Sequence, residues 1–536
     1  MRIILQILFL VTLLFEIEAK SKSEEYQKPK HDFFTSASDM EVLLNVEKKL
    51  SKKFLRYVRK EEERLDKLEG EIRNIEDGWP QPGRSKAQWL SHVTNSYTIL
   101  KRFSTFWPKI GDFSKSNTTK DYMLRLFSDL SRIKESLPAE EDMKGALNAV
   151  FRLQDTYDLP AADFIDGLGG DRAHKLSVEE IFEIGFLCVG INDHYHAHQW
   201  LNEALNPFPV GIQQVGFLDR ISLLEYLAWS EYHLGHLEQA VNLTAQIVHI
   251  DPTHKSAPIN LELYQNDLKA SQFNPNIRKK VFRREKDWQT RHNNLCNGKE
   301  VMEQEIIDKL YCEFDNKRHP RFILKPLKVE HLYNEPGLTM YHDLLRDWEI
   351  DAVKEKARPL LKRATVHDPK TGELVFADYR ISKSAWLKPE MDQIANHVIN
   401  KVGDVINLDM RYSESLQVQN YGLAGQYEPH FDHSTVRTPK QFKELGGNRI
   451  ATMLLYMSEV ERGGATIFVN TGPGVAIWPE KGAGVFWYNL LRNGDGDKKT
   501  RHAGCPVLVG HKWVSNLWIH EHGQEFRRQC SLNMHE

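Results

Sequence analysis

The sequence predicts an α+β multidomain protein: a helical, coiled-coil-like N-terminal region, a tetratricopeptide-like (TPR-like) helical domain, and a C-terminal double-stranded β-helix, or jelly roll. Three observations carry that prediction. Apolar residues recur at spacings of three and four between residues 50 and 75, a paired-helix repeat lies between about 178 and 252, and six short β-type runs follow residue 416, separated by glycines and Asn/Asp clusters. The length of 536 residues suits about three domains. Lys+Arg 71 against Asp+Glu 74 leaves a formal net charge of -3, which gives no electrostatic reason to expect a nucleic-acid partner. With 41% hydrophobic residues, the chain has material for buried cores and is not a disordered protein.

Residues 1–19 read as a signal peptide: Arg2 is the positive n-region, Ile3–Phe15 is almost wholly apolar, and Ala19 is a small residue suited to cleavage. The apolar core is shorter than the roughly 20 residues a membrane span needs. The mature chain is therefore expected in the secretory pathway, without a membrane span. Residues 20–150 form a helical N-terminal dimerisation region. Leu50, Phe54 and Val58, then Leu65, Leu68, Ile72 and Ile75, make a seam among Lys, Arg and Glu, and Gly78–Gly83 stops the helix. The heptad breaks at Glu61, so an ordinary amphipathic helix competes with a coiled coil.

Residues 151–262 hold the repeat. Ile184-Gly185, Ala197, Leu201 and Ala204, then Leu227-Ala228, Ala240 and Pro252, occupy the small and apolar places of two TPR units. Stacked helix pairs make a groove suited to extended peptides, and Tyr195, Tyr226 and Tyr232, with Trp200 and Trp229, are candidates to contact proline rings there. Core packing is the competing role for each aromatic. His194 and His198 share a helix face, but no H-E-x-x-H pattern completes a metal site, so His194, His196 and His198 are expected to be solvent-exposed.

Residues 263–325 read as a charged helical connector with a disulfide. Cys296 and Cys312 are near in sequence, as are Cys505 and Cys530. In an oxidising compartment this favours two short-loop disulfides with Cys188 left as a buried thiol, other pairings of the four remaining open. A zinc site is the rival, and no C-x-x-C spacing supports it. Asn117 and Asn242 begin N-x-[ST] acceptor triplets, which places them on the surface. The C-terminus carries no KDEL-type signal, so residence in the endoplasmic reticulum would require another retaining element.

Residues 326–536 form the catalytic domain. A helix around Trp348–Leu361 precedes β-type runs at Leu416–Tyr421, Ile450–Met457, Thr466–Val469, Gly474–Trp478, Gly484–Tyr488 and Lys512–His520. Its chemistry lies in Gln426–Asp432. Positions i and i+2 of a strand share a face, so His430 and Asp432 can reach one point, and His502 supplies a distant third ligand. Two histidines and one carboxylate are the facial triad of non-haem Fe(II), although zinc tolerates the same ligands. Lys512, ten residues after His502, decides between them: it can pair with the far carboxylate of 2-oxoglutarate.

These residues, together with Gln419–Gly422, Gly463–Thr466, Val485–Leu490, Cys505–Gly510 and Lys512–Asn516, resemble the catalytic alpha subunit of collagen prolyl 4-hydroxylase, and the order of segments does so over nearly the whole mature chain. The resemblance implies an Fe(II)- and 2-oxoglutarate-dependent dioxygenase that converts proline in X-Pro-Gly repeats to 4-hydroxyproline, with L-ascorbate restoring oxidised iron. It implies His430, Asp432 and His502 as metal ligands, Lys512 as the 2-oxoglutarate lysine, and Tyr421 and Thr466 as lining of the co-substrate pocket. It also implies an α2β2 tetramer with protein disulfide isomerase as beta subunit, which would explain residence in the reticulum lumen. Three departures bear on substrate preference: His433 where the family has an aromatic, Phe468–Gly472 without a Pro-Glu, and Leu517 for a lysine. His433 is expected to face away from the ligands. Two rivals stand beside this reading: a related dioxygenase acting on another secreted proline-rich protein or a small molecule, and a non-catalytic peptide-binding subunit.

Overall fold

The computed structural model describes residues 32–77, 79, 93–114, 138, 140–169, 175–206, 208, 214–215, 218–273, 288–367, 374–376, 379–435, 446–472 and 474–533. The expected signal peptide and Asn117 lie outside the described residues. The chain divides into two compact units, one holding residues 43–139 and the other residues 33–42 with 140–536. No helix among the described residues is long and apolar enough to cross a membrane.

Helix α1 (Ala37–Glu76) runs 40 residues without a break. Glu61, where the heptad fails, pairs with Arg64 at 2.6 Å, a neighbour one turn away on the same helix. Leu55, Val58 and Leu65 are exposed. Helices α2 (Val93–Lys101) and α3 (Trp107–Ser114) are joined by a π-helical turn over Arg102–Phe106.

In the second unit, α4 (Glu140–Tyr157) precedes the repeat helices α5 (Val178–Gly190), α6 (His194–Leu205), α7 (Arg220–Leu234), α8 (Leu237–Ile250) and α9 (Ala257–Phe273). Helices α5, α6 and α7 are capped at their starts. Ser177 and Glu180 form a capping box on α5, and the Asp193 and Asp219 carboxylates accept from the His196 and Ser222 N–H groups. Ala197, Ala204 and Ala240 are fully buried, and Gly185 admits Leu201, whose Cγ would lie 2.7 Å from an added Cβ. Tyr195 is exposed, Tyr226 packs edge-on against Phe186 at 4.9 Å, and Tyr232 stacks on Tyr264 at 4.3 Å. Asn242 is exposed on α8.

The expectation of solvent-exposed histidines fails. His194 and His196 are buried and His198 is partly so. His194 stacks on His233, while His196 and His198 meet Asp193 and Glu231, each at 2.7 Å. His233 and Glu231 come from α7, a neighbour that reasoning within α6 could not include.

The connector is also corrected. Helix α10 (Gln289–Cys296) is followed by strand β1 (Cys312–Asp315), which joins the nine-stranded C-terminal sheet as an edge. Cys296 bonds Cys505 across 209 residues, and Cys312 and Cys530 are exposed free thiols, so neither short-loop pairing occurs. The reason is placement: α10 buries Cys296 against the core beside Cys505, whereas the following residues carry Cys312 to an exposed strand. Cys188 is a buried thiol, as expected.

The C-terminal region continues with β2 (Leu327–Asn334), β3 (Gly337–His342), α11 (Asp347–Ala357), β4 (Lys362–Arg363), β5 (Ser382–Leu387) and α12 (Gln393–Ile406). After them come β6 (Leu416–Tyr421), β7 (Tyr427–His430), β8 (Arg449–Tyr456), β9 (Thr466–Phe468), β10 (Val475–Ile477), β11 (Gly484–Tyr488), β12 (His502–Gly504) and β13 (Trp513–His520). Nine strands form one sheet in the order β1-β2-β3-β11-β8-β13-β6-β5-β4, and β7-β12-β9-β10 form the second. Alternation sorts the side chains of the large sheet. In β8, Ala451, Met453 and Leu455 pack with α11 and α12, whereas Leu454 and Tyr456 pack with Phe468 and Ile477 of the small sheet. Strands covered on both faces read as continuous apolar runs, so a polar residue inside one stands out.

Residues 33–38 strap the end of β6. The Ser36 hydroxyl and Ser38 N–H donate to Asn420 Oδ1 at 2.8 and 3.1 Å, and the Leu423 N–H donates to the Phe34 carbonyl. Gly422 permits that approach, since a Cβ there would meet the Phe34 carbonyl oxygen at 2.1 Å.

Candidate active site

His430 ends β7 and His502 begins β12, and the register of the small sheet sets the two directly opposite. The His430 Nδ1–H donates to the Glu428 carbonyl at 2.8 Å, and the His502 Nδ1–H to the Thr500 carbonyl at 2.9 Å. A carbonyl only accepts, so both rings carry a proton on Nδ1 and turn Nε2 toward Asp432. Those Nε2 atoms lie 3.7 and 3.6 Å from the two oxygens of Asp432. Because β7 stops at His430, Asp432 reaches this point from a turn rather than from the next inward strand position.

Burial and then the neighbouring His502 push the His430 imidazole down to about 3, so it is neutral at pH 7. Burial alone would raise the Asp432 carboxyl, but His502, His430 and Arg449 outweigh it and hold it down to about 2. Two imidazoles and a carboxylate, separated by an open gap, fit a divalent iron ion. A hydrogen-bond chain supports the carboxylate: the Trp487 Nε1–H donates to Asn489 Oδ1, the Asn489 amide to Thr452 Oγ1, and the Thr452 hydroxyl to Asp432 Oδ2, each at 2.8 Å. Phe468 and Trp487 close round His502, with ring centroids 5.6 and 5.0 Å away.

Further along the small sheet, Phe468 stands opposite His502 and Thr466 opposite Gly504. That step of two residues is about 7 Å. Lys512 lies there, 2% exposed, with its ammonium donating to the Gly464 carbonyl at 2.7 Å and sitting 5.1 Å from the Tyr421 ring. No carboxylate among the described residues faces it, and burial pushes its pKa down to about 7. An added Cβ on Gly504 would lie 3.4 Å from the Tyr421 hydroxyl and 3.7 Å from Lys512 Nζ, so the glycine keeps this pocket open. The Tyr456 hydroxyl donates to Thr466 Oγ1 at 2.8 Å on the same side.

The structure thus brings His430, Asp432 and His502 into one cluster and Lys512, Tyr421 and Thr466 into a second, one rung away. Tyr195, Tyr226 and Tyr232 stand apart, on α6 and α7. His433 is buried beside Phe431 and Gly496 and does not belong to the three-residue cluster.

Sequence reasoning missed the supporting residues: Thr452, Asn489 and Trp487 behind Asp432, Tyr427 stacked on His430 at 3.5 Å, and Arg380 above Tyr427 at 4.7 Å. It also missed Arg449, which stacks on Trp518 at 3.8 Å, pairs with Glu414 at 3.0 Å and donates to the Asp432 carbonyl at 3.3 Å. The available signal was polar residues inside otherwise apolar strands, Thr452 within β8 above all.

Residues 36–170 match the prolyl 4-hydroxylase alpha-subunit N-terminal region, residues 178–270 the prolyl 4-hydroxylase peptide-substrate-binding domain, and residues 416–520 the 2OG-Fe(II) oxygenase superfamily. The chain is 38% identical over 519 residues to prolyl 4-hydroxylase subunit alpha-1 of Rattus norvegicus, covering 94% of this chain and 96% of the relative. Against prolyl 4-hydroxylase subunit alpha-2 of Caenorhabditis elegans the identity is 39% over 510 residues, covering 94% of each. Among solved structures, the viral collagen prolyl hydroxylase of Paramecium bursaria Chlorella virus-1 is 24% identical with a TM-score of 0.28, over 34% of this chain and 94% of that one. A likeness that runs through all three modules, from residue 36 to residue 520, makes this chain a member of the prolyl 4-hydroxylase alpha-subunit family.

Proposed function

We propose that the chain hydroxylates carbon 4 of proline in X-Pro-Gly repeats of a procollagen-like polypeptide, consuming O2 and 2-oxoglutarate and releasing succinate and CO2. It is a 2-oxoglutarate-dependent dioxygenase by family. The observation that carries the finer reading is the His430–Asp432–His502 cluster, open at Nε2 of both histidines, with a buried unpaired ammonium one rung along the same sheet.

In this reading His430, Asp432 and His502 hold ferrous iron, which when bound supplies O2 activation coupled to oxidative decarboxylation. The backbone bonds at each Nδ1 aim the imidazoles, and Thr452 orients the carboxylate. Lys512 anchors the far carboxylate of 2-oxoglutarate, with Tyr421 and Thr466 lining the pocket. The apolar walls from Phe468 and Trp487 exclude water. The helical repeat, through Tyr195, Tyr226 and Tyr232, holds the rest of a long peptide and raises its local concentration at the iron. L-ascorbate restores iron oxidised in uncoupled turnover. Protein disulfide isomerase completes an α2β2 assembly and retains it in the reticulum lumen.

The test is co-expression with protein disulfide isomerase and incubation with a (Pro-Pro-Gly) peptide, Fe(II), 2-oxoglutarate and ascorbate. One oxygen added per modified proline, matched by succinate and stopped by a chelator, supports the proposal. Succinate release without peptide oxidation would leave the oxygenase chemistry standing and refute this substrate.

A further inference from the structure

The helical repeat contains a second set of two imidazoles and one carboxylate, made of residues with no part in the oxygenase site. His198 lies in α6, Glu231 in the last turn of α7, and His236 just beyond the glycine that ends α7. Gly235 takes φ +80°, where a side chain would be strained, and the chain folds back so that the His236 N–H donates to the Glu231 carbonyl at 2.9 Å. This turn sets His236 Nδ1 2.6 Å from Glu231 Oε2, while His198 Nδ1 lies 2.7 Å from Oε1. The three donor atoms all fall within 4.8 Å of one another.

Glu231 is 1% exposed, and among the described residues its carboxylate meets these two rings and no lysine or arginine. A carboxylate removed from water is costly unless a cation or metal compensates it. The Asn202 Nδ2 donates to the His198 carbonyl at 3.0 Å, which fixes the direction of the amide, and the same Nδ2 lies 3.1 Å from His198 Nδ1. His198 and His236 both turn Nδ1 onto the Glu231 carboxylate, so the three side chains bring their ligand atoms to one point. The His236 and His198 side chains retain 54% and 31% of their exposure, which leaves an open side for water to complete a coordination shell.

We propose that His198, Glu231 and His236 form a second metal site, taking a borderline divalent ion of the zinc class and tying α6 to the α7–α8 turn. Two imidazoles and one carboxylate with open positions suit that class. Tetrahedral ligand atoms about 2.0–2.2 Å from zinc stand roughly 3.4 Å apart, so entry of the ion needs the 2.6 and 2.7 Å contacts to Glu231 to open first. The site joins the helix that carries Tyr195 to the helix that carries Tyr226 and Tyr232.

The test uses the full chain with its partner subunit, stripped by chelator, in an Asp432→Ala background that removes the iron cluster. Titration with Co(II) alone should develop the visible absorption of bound cobalt, and equilibrium dialysis with Zn(II) alone should give about one more equivalent per chain than the partner subunit binds by itself. His236→Gln, a half-exposed change on a turn whose folding is checked by circular dichroism, should weaken zinc at least tenfold and abolish the cobalt spectrum. No metal uptake in the Asp432→Ala background would overturn the proposal whatever the second variant does. Uptake unchanged by His236→Gln would overturn it as well, since the metal would then lie elsewhere.

Discussion

Two clusters in this chain have the same composition, two histidines and a carboxylate, and opposite architecture. In the jelly roll, His430 and His502 are tied by Nδ1 to backbone carbonyls and held 3.6–3.7 Å from Asp432, so strand register keeps a gap open. In the helical repeat, His198 and His236 turn Nδ1 onto Glu231 at 2.6–2.7 Å, so the side chains close on one another. A sheet imposes spacing through its backbone, whereas helix ends leave spacing to the side chains. The first cluster is preorganised, and the second must open to take an ion.

The largest expected effect breaks the oxygenase cluster itself. Asp432→Ala should reduce succinate release to background with iron in excess, since two imidazoles without the carboxylate cannot hold the ion against water.

Lys512→Ala should raise the apparent KM for 2-oxoglutarate by roughly a hundredfold, about 3 kcal/mol for losing one partner of a buried charge pair, with kcat at saturation less affected. The same residue predicts a pH dependence. Its folded-state pKa, pushed down to about 7 by burial, leaves it charged below pH 7 and neutral above. Binding the dicarboxylate above that pH requires proton uptake, so the apparent KM should rise up to about tenfold per pH unit. A KM independent of pH between 6.5 and 8.5 would contradict this account.

Breaking the Cys296–Cys505 bridge with Cys505→Ser should cost about 2–4 kcal/mol in denaturant unfolding, while Cys312→Ser and Cys530→Ser should be neutral. Equal losses at Cys312 would restore the short-loop pairing. Thr452→Val removes the hydroxyl that orients Asp432 and should weaken iron binding about 10- to 100-fold, read by equilibrium dialysis. Gly235→Ala should be the mildest, about 1 kcal/mol of strain at a left-handed turn. It should loosen His236 from Glu231 without touching the oxygenase.

The six β-type runs were legible and became strands, their ends moving by a residue or two, because their glycine and Asn/Asp boundaries act locally. The repeat helices were legible for the same reason, since small residues and caps are short-range signals. Less legible were β2, β3, β5 and α12, which stood only as a mixed region. The histidines of α6 were misread because their partners Glu231 and His233 are more than 30 residues away. The disulfide was misread because nearness in sequence stood in for nearness in space.

Residue types and spacings by themselves determined the modules, their order, and the four side chains, His430, Asp432, His502 and Lys512, to which we assign the oxygenase chemistry. Tertiary structure alone decided what surrounds them: the Trp487–Asn489–Thr452 chain behind Asp432, the bridge between Cys296 and Cys505, and the cluster on Glu231. The physical reason is range. Periodicity, caps and turns act over a few residues, whereas a buried carboxylate or thiol finds its partner only when strands and helices distant in the chain are packed together.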